Sequence, residues 1–312
     1  MAELPTTMRA VRFESWGDRS VLQVQHVPLP EVAPGRVLVQ VRAAGTNPGE
    51  AAIRSGAFDR DDPSKLPSGQ GTDFAGVVMA VGQGVESFAV GDEVLGWSWE
   101  RSSQAEFVSV PETQLVPKPA GLSWEVAGSM DVAGTTAYAA VRAVDPQPGE
   151  TVVVSAAAGG VGGFVTQLAL LRGARVIALA GEANHEWLRE RGAESVTYGE
   201  GMRERIEQLA PDGVDALIDT FGAEYVQLGL DLGVDRQRIN TIIAFAFAAE
   251  TGVQTQGSAE GADPSILSEL AELAASGTIV VPIAATYPLE GVQAAYAEVE
   301  QRHTRGKVVL VP

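Results

Sequence analysis

The chain has 312 residues, 45% hydrophobic and 20% charged, which are ordinary globular proportions at a length that suits two domains. It contains no cysteine, which excludes disulfides, thiol nucleophiles, Cys-ligated iron–sulfur clusters and Cys-ligated zinc. A net charge of −18 repels phosphate backbones and anionic lipid, so nucleic-acid and membrane-surface roles are disfavoured. The longest apolar run, Ile242 to Ala249, is far shorter than the ~20 residues that span a bilayer. The start, Met1-Ala2-Glu3-Leu4-Pro5, lacks the basic and apolar regions of a signal peptide. A cytoplasmic protein is expected.

The first third reads as β. Short Val-rich runs at Met8–Phe13, Val21–Val27 and Val37–Ala44 are separated by Gly and Pro clusters. In the third run Val37, Val39 and Val41 fall at period two, the pattern of a half-buried strand. Further strands are predicted at Gly76–Val81, Glu93–Trp97 and Ala105–Val110, with glycine turns between them, which suggests a small barrel-like domain. Ser123 caps a short helix through Gly128, and Val132–Val144 follows as a second helix.

Strands and helices then alternate. Strands are predicted at Thr151–Ser155, Arg175–Leu179, Ser195–Tyr198, Val214–Asp219 and Arg238–Ala244. Helices are predicted at Val161–Leu171, Asn184–Arg191 and Met202–Leu209. This alternation reads as a doubly wound parallel sheet. The tail adds helix Pro264–Ala275, strand Thr278–Val281, helix Leu289–Gln301 and strand Lys307–Val311. The fold class is therefore α/β, with residues 1–122 and 262–312 in one domain and 123–261 in the other.

The chemistry concentrates where Val152-Val153-Val154 runs into Ser155-Ala156-Ala157-Ala158-Gly159-Gly160-Val161-Gly162-Gly163. A buried strand, a turn of small residues and a helix starting at once form the arrangement a dinucleotide pyrophosphate needs. The small residues let the backbone approach, and helix N-terminal amides face the negative charge. Ala157-x-Gly159-x-x-Gly162 matches the fingerprint with alanine in the first place. At the end of the next strand an acid would accept from a ribose 2′-hydroxyl, but the chain has Leu179-Ala180-Gly181. This leaves room for a 2′-phosphate and favours NADPH over NADH. Glu182 lies one residue beyond. With no Lys or Arg immediately adjacent, phosphate binding would rest on Asn184, Tyr198 or a more distant arginine.

Other candidates are thin. His26, His185 and His303 show no metal-ligand spacing, and no metal site is expected. Ser155 is not set in a Gly-x-Ser-x-Gly elbow. Asp59-Arg60-Asp61-Asp62 reads as a solvated loop.

Several motifs together carry a resemblance over nearly the whole chain. They are Ala44-Gly45-Thr46-Asn47-Pro48, Ile53-Arg54-Ser55-Gly56, Gly71-Thr72-Asp73-Phe74-Ala75-Gly76, Ala133-Gly134-Thr135-Thr136-Ala137-Tyr138, the glycine turn, and Arg305-Gly306-Lys307-Val308-Val309-Leu310. In these the chain resembles the medium-chain dehydrogenase/reductase superfamily, in its zinc-free quinone oxidoreductase (zeta-crystallin-like) branch. The resemblance implies a GroES-like β-barrel substrate domain plus a doubly wound Rossmann domain.

It also implies roles by position. Asn47 and Thr136 would line the nicotinamide ribose, with Asn47 positioning rather than donating. Phe245 would wall the nicotinamide pocket, Tyr198 would contact the 2′-phosphate, and Arg302 would sit near the cofactor. Ala157, Gly159, Gly160, Val161 and Gly162 would form the pyrophosphate turn, with Gly181 and Asn184 at the ribose. Zinc-dependent relatives carry Gly-His-Glu where this chain has Gly71-Thr72-Asp73. Some relatives have tyrosine at the place of Ala52, so this chain lacks that hydroxyl.

The implied activity is NADPH-dependent hydride transfer to a quinone or α,β-unsaturated carbonyl. Reduction of enoyl thioesters or 2-alkenals is the alternative, and an NADPH-binding protein with little turnover is the reading from another class. The only partner expected besides the small-molecule acceptor is a second copy in a homodimer, for which Val253–Gln256 offers an edge strand. With no Tyr or Cys before Ser123, and His26 remote, solvent is expected to supply the proton.

Overall fold

The structure, a computed structural model, describes residues 4–58 and 62–312. Most of the acidic run at 59–62, and the first three residues of the start, lie outside the described residues. The chain divides into two compact units, Met1–Val132 with Leu267–Pro312, and Ala133–Ile266. The changeover comes slightly later than residues 122 and 261. Trp124–Ala127 packs with the N-terminal strands, where Gly45 N–H donates to Gly128 O at 2.7 Å. A Cβ on Gly128 would meet Ala43 O at 2.4 Å, so glycine allows that approach.

The N-terminal segment contributes β1 (Thr7–Phe13), β2 (Gln23–Pro28), β3 (Arg36–Gly45), α1 (Pro48–Arg54), β4 (Ser68–Gly69), β5 (Asp73–Val81), β6 (Glu93–Trp97), β7 (Phe107–Pro111), β8 (Leu115–Pro117) and α2 (Trp124–Ala127). Antiparallel pairing dominates: β5 pairs with β3 and β6, and β7 also joins β3. The period-two valines Val37, Val39 and Val41 enter one core with Phe74, Val78, Val94 and Val108. Leu38 enters a second core with Met8, Ala10 and Phe107, so β3 is covered on both faces rather than half-buried.

The second unit begins within α3 (Asp131–Val144) and continues with β9 (Thr151–Val154), α4 (Gly160–Leu171), β10 (Arg175–Leu179), α5 (His185–Arg189), β11 (Glu194–Val196) and α6 (Met202–Leu209). It closes with β12 (Ala216–Asp219), α7 (Ala223–Asp231), β13 (Ile239–Thr241), α8 (Phe245–Thr251) and α9 (Ser258–Gly261). The five strands are parallel in the order β11-β10-β9-β12-β13, which is 3-2-1-4-5 along the chain. That order makes the sheet doubly wound about β9 and opens a crevice at the carboxyl ends of β9 and β12.

The predicted strand Arg238–Ala244 is cut short at Thr241. The Thr241 hydroxyl accepts from Ile243 N–H at 3.3 Å and Ala244 N–H at 3.0 Å, turning the apolar run into α8. Val253–Gln256 makes one parallel bridge to β13, with Gln254 N–H donating to Ile239 O at 2.9 Å.

The tail adds α10 (Pro264–Ala275), β14 (Ile283–Pro288), α11 (Val292–Glu300) and β15 (Lys307–Val311). β15 lies antiparallel to β3, and β14 parallel to β15. The strand expected at Thr278–Val281 lies instead at Ile283–Pro288. Ile279 N–H donates back to Leu273 O at 3.0 Å to finish α10, and pairing starts only where Ile283 meets Lys307. α11 buries Val292, Ala295, Tyr296 and Val299 against Val11, Phe13, Leu22 and Leu310.

Candidate active site

In the second unit, β9 ends in the expected turn. Ala156 has a φ of 44°, left-handed for an alanine. Ala157 N–H is taken by Leu179 O at 3.0 Å, tying the turn to β10. A Cβ on Gly162 would lie 2.2 Å from Ala156 O, so only glycine lets α4 pack this close to the turn. Gly159 caps α4 without a side-chain hydrogen bond. A helix leaves its first amides unpaired, so those of Gly160, Val161 and Gly162 are available to an anion, and this cradle fits a pyrophosphate.

A buried carboxylate braces the turn from behind. Asp219 Oδ1 accepts from the Ser155 hydroxyl at 2.8 Å, Phe221 N–H at 2.9 Å and Gly222 N–H at 3.0 Å. Its Oδ2 accepts from the Thr241 hydroxyl at 2.7 Å. One side chain therefore locks the carboxyl ends of β9, β12 and β13. Burial pushes the Asp219 pKa up, and these donors hold it down in part.

The residues expected at the ribose are brought together at the end of β10. Asn184 N–H donates to Gly181 O at 2.9 Å, closing a tight turn over Glu182–Asn184. A Cβ on Gly181 would sit 3.6 Å from Tyr198 Oη, in ordinary contact, so strand β10 ends beside the tyrosine. His185 Nε2 lies 3.2 Å from Ala180 O. Glu182 is exposed, and Tyr198 is 44% exposed. Thr136 is buried in α3, while Phe245 is 53% exposed at the start of α8.

Asn47 and Arg302 belong to the first unit. Arg302 is exposed after α11, with a φ of 58°. Asn47 is buried, and its amide is turned inward. Nδ2 donates to Asp73 Oδ2 at 3.1 Å and Glu50 Oε1 at 3.3 Å, while Oδ1 accepts from Lys307 Nζ. Sequence reasoning left most of this network unassigned. Glu50 accepts from Asn47 N–H at 3.0 Å, Thr72 N–H at 2.8 Å and the Tyr296 hydroxyl at 2.6 Å. The Tyr296 hydroxyl in turn accepts from Gln70 Nε2 at 2.7 Å and Gln104 Nε2 at 2.9 Å.

Every group on Glu50 is a donor, the arrangement of a carboxylate, although burial and then the Asp73 charge push its pKa up. Burial, followed by Asp73, raises Asp131 well above the usual range against the pull of Lys307. Burial, and then Glu50, raises the Tyr296 phenol well above its ordinary value. Local signals existed for Glu50, three residues after the helix cap Asn47, and for Asp73 and Lys307 within quoted motifs. Tyr296 had none. No tyrosine precedes Ser123, but Tyr296 from the tail folds into the same unit. Among the described residues, no group of three His, Cys, Asp or Glu side chains could hold a metal ion.

A doubly wound sheet with a glycine turn after its first strand, in a chain whose two ends build a separate β-rich unit, is the architecture of a dinucleotide-dependent dehydrogenase. The comparisons with known proteins agree. Residues 33–120 match the alcohol dehydrogenase GroES-like domain, and residues 125–310 match the zinc-binding dehydrogenase family. The chain is 30% identical to the NADPH-dependent alkenal/one oxidoreductase, chloroplastic, of Arabidopsis thaliana, over 100% of this chain and 81% of that one. It is also 30% identical to quinone oxidoreductase 1 of Escherichia coli (strain K12), over 97% and 99%. The solved Escherichia coli quinone oxidoreductase complexed with NADPH superposes with a TM-score of 0.86 at 28% identity, covering 97% of this chain and 100% of that chain. The chain belongs to the medium-chain dehydrogenase/reductase superfamily.

Proposed function

We propose that the protein is an NADPH-dependent, zinc-independent reductase of quinones or α,β-unsaturated carbonyls. The observation that carries this is the uncapped amino end of α4 behind a turn that admits only glycine at 162, with the carboxylate-free Gly181 beside Tyr198 at the next strand end. NADPH, when bound, supplies the hydride. The amides of Gly160, Val161 and Gly162 would hold its pyrophosphate, and Gly181, Asn184 and Tyr198 would receive the ribose phosphate. Thr136 and Phe245, in the same unit, would add cofactor contacts, and the role of Arg302 rests on the resemblance alone.

Asn47 acts by position. Its polar atoms are committed to Glu50, Asp73 and Lys307, so it shapes the start of α1 rather than donating to a substrate. The Tyr296 hydroxyl already donates to Glu50 and is fully buried, so the proton added after hydride transfer comes from solvent. Quinones and enones, whose reduced forms are stabilised anions, suit such a site better than simple ketones. The likeness to the alkenal/one oxidoreductase supports the 2-alkenal alternative equally.

We read the protein as a cytoplasmic homodimer that pairs along the β13 side of its parallel sheet; no helix among the described residues is long and apolar enough to cross a membrane. The deciding experiment measures NADPH oxidation against quinones, enones, 2-alkenals, enoyl thioesters and unactivated ketones, with NADPH binding followed in parallel. Turnover of the first two classes is expected. Tight binding with no turnover of any acceptor would convert the reading to a nucleotide-binding protein, and efficient reduction of an unactivated ketone would overturn the solvent-proton argument.

A further inference from the structure

The residues named at the ribose phosphate, Asn184 and Tyr198, carry no charge, and a phosphate dianion in a protein of net charge −18 calls for the more distant arginine that the sequence left unnamed. Arg205, in the first turn of α6, sits at this corner. Its Nη2 donates to Thr197 O at 2.6 Å and its Nη1 to Glu200 O at 2.9 Å. The guanidinium thus bridges the carbonyls on either side of Tyr198 and Gly199. Gly201 leaves room for it, because a Cβ there would meet Arg205 Nη1 at 2.9 Å.

Other arginines of this half of the second unit are engaged differently. Arg175 pairs with Glu194, Arg203 with Glu207 and Arg191 with Glu190, while Arg189 Nε donates to His185 O. Arg205 makes no ion pair among the described residues. It is held by carbonyls rather than carboxylates, and it lies on the turn that presents Tyr198 to Gly181.

We infer that Arg205 determines specificity for the 2′-phosphate, positioning the Tyr198 turn and supplying the positive field that the carboxylate-free strand end lacks. This rests on the NADPH reading above. A guanidinium parked on backbone carbonyls keeps unused N–H donors, whereas one paired with a carboxylate would be neutralised and could not distinguish a phosphate from a hydroxyl.

The test is equilibrium binding of NADPH, NADH, 2′,5′-ADP and 5′-AMP to the parent chain and to Arg205→Met, Arg205→Lys and Arg189→Met, with Tm recorded for each. Arg205→Met should weaken NADPH and 2′,5′-ADP by about fivefold or more while leaving NADH and 5′-AMP nearly unchanged, and Arg205→Lys should recover part of the loss. Equal losses for phosphorylated and unphosphorylated ligands would reduce Arg205 to a structural brace. No change, or a selective loss in Arg189→Met instead, would overturn the assignment. Equal NADPH and NADH affinities in the parent would count against the NADPH reading alone, because the Arg205 assignment is read from the ratio between variant and parent.

Discussion

The Tyr296 hydroxyl donates to Glu50 Oε2 at 2.6 Å across 246 residues of sequence, fastening α11 to the start of α1 inside a fully buried polar cluster. Removing that hydroxyl leaves Glu50 short of one donor, takes away the acceptor of the Gln70 amide, and leaves Gln104 Nε2 with Gly45 O alone. Tyr296→Phe should therefore cost about 2 kcal/mol, seen as a lower midpoint in urea unfolding. The pH dependence of kcat should keep its shape, because the phenol is not the proton donor. A lost limb in the alkaline range would show that it is.

Asp131 offers a pH-dependent test. Its carboxyl is raised by burial first and by Asp73 second, so the folded protein holds the proton more tightly than the unfolded chain. That contribution is complete below the ordinary carboxylate value of 3.8 and is lost as pH rises through the raised folded value. Asp131→Asn, which cannot ionise, should flatten the fall in stability as pH rises above 3.8, measured as urea midpoints across that rise. An unchanged slope would show that Asp131 does not contribute to it.

Cofactor choice should turn on Gly181. The parent is expected to bind NADPH about tenfold more tightly than NADH, a difference of about 1.4 kcal/mol. At Gly181 the backbone φ is −68° and an added Cβ touches Tyr198 only at van der Waals distance, so Gly181→Asp fits without strain. Its carboxylate would face the 2′-phosphate and should reverse the order of the two dissociation constants. Preserved NADPH preference in the variant would place the phosphate away from this strand end.

Metal independence is checked by chelation. Exhaustive dialysis against EDTA should leave both Tm and turnover unchanged, and elemental analysis should find no stoichiometric zinc. Activity lost on chelation and restored by zinc would contradict the reading.

The parallel sheet was legible because its signals are local. A continuous valine strand, a turn of small residues and an immediate helix state the β9–α4 unit within about twenty residues of sequence, and Arg175–Leu179 and Met202–Leu209 have the predicted limits. Errors arose where a side chain overrode propensity. The Thr241 hydroxyl stopped a strand that an apolar run would have continued, and the close of α10 delayed the last strand pair to Ile283. Helix α7 was missed, although its amino end follows directly from the amides that Asp219 gathers.

What the sequence determined by itself was the class of fold, the glycine turn and the absence of a carboxylate after β10, all properties of contiguous residues. Only the tertiary structure decided what Asn47 does, that Tyr296 and Lys307 share its surroundings, and which arginine stands beside Tyr198. Those arrangements join β3, β5, α11 and β15, or bring α6 back over the end of β11. A buried charge must find partners wherever the folded chain provides them, at separations on which no local pattern reports.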